Sequence, residues 1–273
     1  SAQLMAKMHK AISIIQFKLE GQTVLRHPEW NMSHRALLDK IDFTKGTITL
    51  NTQHPLLDTH LPTIDPNNPY ALSAEEQYLM NQLHRSFRKS EKMQRHLRLL
   101  YEHGSLYLVH NGFLLYHAAI PLNPDGSFTE VDVCGEKVKG KALMDRIDKV
   151  IRLAYYGEGK EKEDALDYML YLWQGEHSPL YNKDRMTTFE RYFIADKQTH
   201  EEKKGAYFNL SDDECTCNNI LKEFGLNPAT GRIINGHVPV RTIKGETPIR
   251  ANGKRFVIDG GFSKPYQEKT GIA

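Results

Sequence analysis

The chain has 273 residues, enough to bury one large core or two smaller ones. Charged residues make up 26% and the formal net charge is only +2, which argues against a nucleic-acid partner while leaving room for a local basic pocket. No apolar run approaches the roughly 20 residues of a bilayer span, so no membrane partner is expected. The start, Ser1-Ala2-Gln3-Leu4, carries no secretory pattern. The cysteines, Cys134, Cys215 and Cys217, are odd in number and give no disulfide framework, which suits a cytoplasmic protein. The C-x-C pair lacks a second pair to complete a four-ligand metal site.

Leu4, Met8, Ala11, Ile12, Ile15 and Leu19 have helical spacing, and Gly21 is a plausible stop. A short helix is expected at 33–39 and a strand from Thr47 to Leu50. Pro55, Pro62, Pro66 and Pro69 make 54–72 an irregular connection. Ser73-Ala-Glu-Glu76 reads as a capping box opening one long helix to about Tyr101, with a basic face of Arg85, Arg88, Lys89, Lys92, Arg95 and Arg98. That face is either solvated or a contact surface.

Two short apolar runs, Leu106–His110 and Phe113–His117, flank Asn111-Gly112, a strong hairpin signal. Residues 124–139 read as a second hairpin, and 141–174 as helical with a break at Gly157–Gly159. Thr187–Glu190 and Ser211–Glu214 offer further capping boxes, the latter opening a helix that ends at Gly225. A strand at 232–235 leads to Gly236-His237, and a second apolar strand leads to an Asp259-Gly260-Gly261 turn. Four segments result: 1–104 mainly helical, 105–140 strand-rich, 141–225 a helical insertion, and 226–273 the remaining strands. The expected class is α/β (α+β), one sheet layer interrupted by helices.

His117 and His237 share a context, since each ends an apolar strand and begins a turn. Strand ends along one sheet edge are where ligands gather in open α/β sheets. Both are candidate metal ligands. The alternative is an ordinary core or surface histidine, and 13 histidines make chance matches easy. Asp259 is the local carboxylate, either a ligand or a turn former. Arg241, Lys254, Arg255 and Lys264 are candidate substrate-binding cations, because loops beside a metal that carry such charges suit a phosphorylated substrate. The alternative is ordinary charged surface.

Longer strings are more specific. Ile233-Ile-Asn-Gly-His-Val-Pro-Val240, Val257-Ile-Asp-Gly-Gly-Phe-Ser-Lys264 and Met186-Thr-Thr-Phe-Glu-Arg-Tyr-Phe-Ile-Ala-Asp-Lys197 closely resemble the class III fructose-1,6-bisphosphatases, as does Met8–Gly21. The resemblance covers essentially the whole chain. It implies the calcineurin-like metallophosphatase superfamily, with a β-sandwich flanked by helices and a dimetal centre at the strand ends. It also implies hydrolysis of the 1-phosphate of fructose 1,6-bisphosphate in gluconeogenesis, with Mn²⁺ activating the attacking water. The superfamily's later motifs fall on His117 and on Gly236-His237. Ala118 stands where relatives often have glycine. None of the earlier motifs, Asp-x-His, Gly-Asp-x-x-Asp-Arg-Gly and Gly-Asn-His-Asp/Glu, is expected in this chain. The chain is therefore expected to be a fragment that lacks the bridging aspartate and is inactive alone, with no catalytic residue assigned in it. Two rival readings stay open: another phosphomonoesterase or dinucleoside polyphosphatase on the same scaffold, and a non-catalytic module for assembly or metabolite binding. A homo-oligomer is also left open.

Overall fold

A computed structural model describes residues 1–259 and 263–271, and its contacts divide the chain into two compact units. One is Ser1–Glu102 with Arg185–Glu202, and the other is His103–Asp184 with Lys203–Ala273. This grouping cuts across the expected helical insertion at 141–225. Residues 185–202 join the first unit because Phe189, Phe193 and Ile194 pack into its core.

In the first unit the helix Ala2–Arg26 buries Ile14, Ile15 and Phe17 along one face. Gly21 does not stop it. The residue lies inside the helix, where a Cβ would come 2.1 Å from the Tyr70 ring, so only glycine lets that ring pack. Lys18 on the same helix is fully buried, and its Nζ donates to Glu76 Oε2 at 2.7 Å. Strands β1 (Ile41–Asp42), β2 (Thr47–Thr49) and β3 (Gln53–Pro55) form a small antiparallel sheet. The expected helix at 33–39 is instead two 3₁₀ turns, Ser33–Arg35 and Leu38–Lys40.

The Ser73–Glu76 capping box forms in full. The long helix after it breaks into Ala74–Lys89 and Glu91–His103. Ser90 takes an extended backbone, and its Oγ accepts from Met93 N–H, so a local side-chain bond starts a new helix instead of extending the old one. The other two boxes do not form. Glu190 is buried against Arg35, and Asp213, not Ser211, caps the helix Glu214–Glu223. That helix is followed by Gly225 in the left-handed region, φ +75°.

The second unit is mixed α and β, as expected. β4 (Tyr107–His110) and β5 (Phe113–Tyr116) form the hairpin, with Asn111 and Gly112 both at positive φ in the turn. β6 (Val131–Val133) and β7 (Glu136–Val138) pair only with each other, so the second hairpin stands outside the main sheet. The main sheet adds β8 (Arg232–Asn235), β9 (Ile249–Arg250) and β10 (Arg255–Val257) in the order β4-β5-β8-β10-β9. β5, β8 and β10 run parallel at its centre. One face carries fully buried Leu114 and Ile233, which join Ile120, Tyr207, Ile220 and Leu221 in the core. Among the described residues no helix is long and apolar enough to cross a membrane.

Candidate functional site

Three parallel strands end at one edge of the sheet, and each delivers one expected site residue there. β5 ends at Tyr116 and gives His117, β8 ends at Asn235 and gives Gly236-His237, and β10 leads through Ile258 to Asp259. Backbone hydrogen bonds tie the three ends together. Gly236 N–H donates to His117 O at 2.8 Å, Ile258 N–H to Asn235 O at 2.8 Å, and Val240 N–H to Asp259 O at 2.7 Å. This is the carboxyl-end crevice where open α/β sheets place their ligands. Of the Asp259-Gly260-Gly261 turn, the two glycines lie outside the described residues.

The structure brings the two histidines together across 120 positions of sequence. His117 Nε2 and His237 Nδ1 are 3.1 Å apart, a hydrogen bond in which one ring nitrogen donates to the other according to tautomer, and the rings are nearly perpendicular at 74°. His117 is exposed and His237 half-buried. Burial lowers the His237 pKa, helped by His117, Lys183 and Lys204 and opposed by Asp259, so its neutral form is favoured. A metal ligand needs that form. The spacing also fits. With zinc–nitrogen bonds of about 2.0–2.1 Å, two ligand nitrogens on one zinc ion lie about 3–3.4 Å apart. Two imidazoles supply only part of a metal's coordination set. Among the described residues no group of three His, Cys, Asp or Glu side chains is close enough to hold a metal, so Asp259 shares the edge without completing a site.

The sharp bend of this turn falls on the histidine. Gly236 has no positive φ, whereas His237 has φ +71°. A Cβ on Gly236 would meet nothing nearer than 3.4 Å, an ordinary contact with Asp259. A left-handed backbone costs a non-glycine residue about 1–2 kcal/mol, and such outliers cluster at functional positions. Gly236→Ala is therefore expected to change stability by only about 0.5 kcal/mol. Gly112→Ala, at φ +81°, is expected to lower it by about 1 kcal/mol. Urea midpoints at unchanged slope check both.

The four expected substrate cations separate. Lys254 is buried, and its Nζ donates to the Pro228 carbonyl inside the fold. Arg255 is also buried, donating from Nε to Ser211 O at 3.0 Å and from Nη1 to Asn235 Oδ1 at 3.2 Å, with Asp212 as its ion-pair partner. Asn235 in turn donates to Ala118 O and to the Tyr207 hydroxyl, which meets the Tyr116 hydroxyl at 2.5 Å. This polar chain runs beneath the Gly236-His237 turn and fixes where β8 ends. Arg241 is exposed and pairs with Glu246, and Lys264 is exposed at the start of the helix Lys264–Thr270. The structure thus gives Lys254 and Arg255 internal partners and leaves Arg241 beside a cleft of 660 Å³.

The Firmicute fructose-1,6-bisphosphatase family model matches residues 1–273. The chain belongs to that family. It is 56% identical over 272 residues to fructose-1,6-bisphosphatase class 3 1 of Clostridium beijerinckii. It is 54% identical over 274 residues to fructose-1,6-bisphosphatase class 3 of Bacteroides fragilis, and 55% identical over 274 residues to that of Clostridium acetobutylicum. Each match takes in 99% of this chain and 41% of the relative's length. No solved structure matches.

For this family member, one reading of the sequence needs amendment. An Asp-x-His string does occur, Asp58-Thr59-His60. There Asp58 pairs with Lys10 at 2.5 Å and accepts from His60 N–H at 2.9 Å, which keeps its pKa low. The two longer early motifs remain without a counterpart. Lys269 also lines the cleft, with Lys204 and Arg250. Nothing local to Lys269 signals this, because the cleft is assembled from segments more than 60 residues apart.

Proposed function

We propose that this chain forms part of a fructose-1,6-bisphosphate 1-phosphohydrolase of the calcineurin-like type, cytoplasmic and active in gluconeogenesis. His117 and His237 are the residues that would hold its Mn²⁺. The observation that carries this reading is the 3.1 Å approach of the two imidazole nitrogens at the carboxyl ends of parallel strands. The relatives' names supply the substrate.

When bound, the metal polarises the phosphoryl oxygens and supplies a nucleophile from water at neutral pH. The chain's own residues do the positioning. The Gly236 N–H to His117 O bond fixes one histidine's strand end against the other's. The positive φ of His237 aims its ring at His117. Lys183, whose positive charge disfavours protonation of His237, would also attract a phosphoryl group. Leu108, Leu115, Ile234 and Ile258 line the adjoining cavity of 570 Å³ and keep its floor apolar.

The test is phosphate release by the longer protein that contains this chain. With Mn²⁺, fructose 1,6-bisphosphate is expected to be hydrolysed far faster than fructose 6-phosphate, and chelation is expected to stop the reaction. Equal rates on generic phosphomonoesters, or full activity after chelation, would count against the reading. The 273-residue chain alone is expected to show no appreciable hydrolysis, because its described residues gather only two metal donors.

A further inference from the structure

Asn235 and Gly236 wall two cavities at once. One contains His117 and His237. The other, the 660 Å³ cleft, has an unbalanced charge. Its carboxylates are Asp212 and Glu246, and each is already paired, with Arg255 and Arg241 respectively. Lys204, Arg250 and Lys269 line the same cleft and make no ion pair among the described residues.

The fold holds these like charges together. Arg250 stands directly opposite Arg255 in the antiparallel register of β9 and β10. Like charges directly opposite across strands are destabilising. Lys204 is set beside Lys183 by a backbone bridge, and the flanking bonds Asp184 N–H to Lys203 O and Gly205 N–H to Asn182 O keep it there. Partial burial, Lys183 and Arg241 together lower the Lys204 pKa, with Glu246 opposing. Lys204 Nζ sits over the Phe208 ring at 5.5 Å, and a bound dianion would give all three cations an anionic partner. Arg250 offers a planar fork that matches phosphate oxygens, and Lys204 adds a point charge.

We propose that this cleft is a phosphate-monoester site, holding the second phosphate of a sugar bisphosphate whose first phosphate lies at the His117–His237 side of the turn. The choice of a bisphosphate rests on the phosphatase reading, whereas the anion site stands on its own residues. Its key cations are Lys204 and Arg250.

The experiment is titration of inorganic phosphate into the 273-residue chain in the presence of EDTA, followed by calorimetry. Saturable one-to-one binding is expected. Lys204→Gln and Arg250→Gln should each weaken it about tenfold, as loss of a charge-assisted hydrogen bond implies. The double variant should show no saturation, and Lys160→Gln, on a helix away from the cleft, should bind as the parent does. Thermal melts confirm that each variant is folded. If Arg250→Gln fails to fold, Arg250→Lys replaces it and is expected to bind with intermediate affinity. No saturable binding by the folded parent, or equal affinity in the double variant, would overturn the proposal. Phosphate binding without Mn²⁺ binding at the histidine pair would uphold this site and sink the metal reading. Mn²⁺ binding without phosphate binding would do the reverse.

Discussion

Alanine at His117 or at His237 is expected to weaken Mn²⁺ binding by this chain about 10- to 100-fold, equivalent to about 1.4–2.7 kcal/mol. Each variant leaves a single imidazole, and one nitrogen donor holds a divalent cation poorly. The two positions differ in what else they do. His237 adopts φ +71°, so His237→Gly removes the ligand and relieves the backbone together. That variant should match the parent in stability or exceed it by up to about 1 kcal/mol. Lost Mn²⁺ binding with undiminished stability marks a ligand. Falling stability at unchanged Mn²⁺ affinity would mark a histidine that serves only to shape the turn. Calorimetric Mn²⁺ titration and urea unfolding of the same samples separate the two.

Arg255→Met is expected to lower stability by about 2–5 kcal/mol. Methionine fills a similar volume but donates nothing. The Ser211 carbonyl and Asn235 Oδ1 would each lose a buried partner, at about 1–3 kcal/mol apiece. Asp212 is half exposed and can turn to water, so its lost ion pair adds little. The loss should spread to the Gly236-His237 turn, because Asn235 also donates to Ala118 O, next to His117. A shifted urea midpoint at constant slope checks this. A cation reserved for substrate would behave in the opposite way. Its removal would leave stability unchanged and weaken only ligand binding.

Much of the site's frame is legible in the sequence, and the reasons are local. Asn111-Gly112 specifies a two-residue turn in which both residues need positive φ, and the structure has both. The apolar runs before His117 and His237 mark strands whose ends face a common edge. What the sequence does not show is long-range pairing. β5 lies beside β8 although more than 100 residues separate them, and no local signal encodes that neighbour. The side-chain direction of Arg255 does have a signal in the sequence. Strand alternation puts Arg255 on the same face as Val257, and both are buried while Phe256 between them is less so. In a Gly-His pair the glycine is the residue that most readily takes a left-handed backbone, yet the left-handed residue is His237, a type that tolerates this conformation better than most. The break at Ser90 was missed because a serine inside a helical pattern seldom overrides it, and here its hydroxyl caps the next helix.

The most direct measurement of the central claim is electron spin-echo spectroscopy of Mn²⁺ bound to the chain, which detects coupling to imidazole nitrogen. Two histidine nitrogens on the same ion are predicted in the parent, one in each of His117→Ala and His237→Ala, and none in the double variant. Mn²⁺ that binds with oxygen ligands only, or nitrogen coupling that survives the double replacement, would contradict the account.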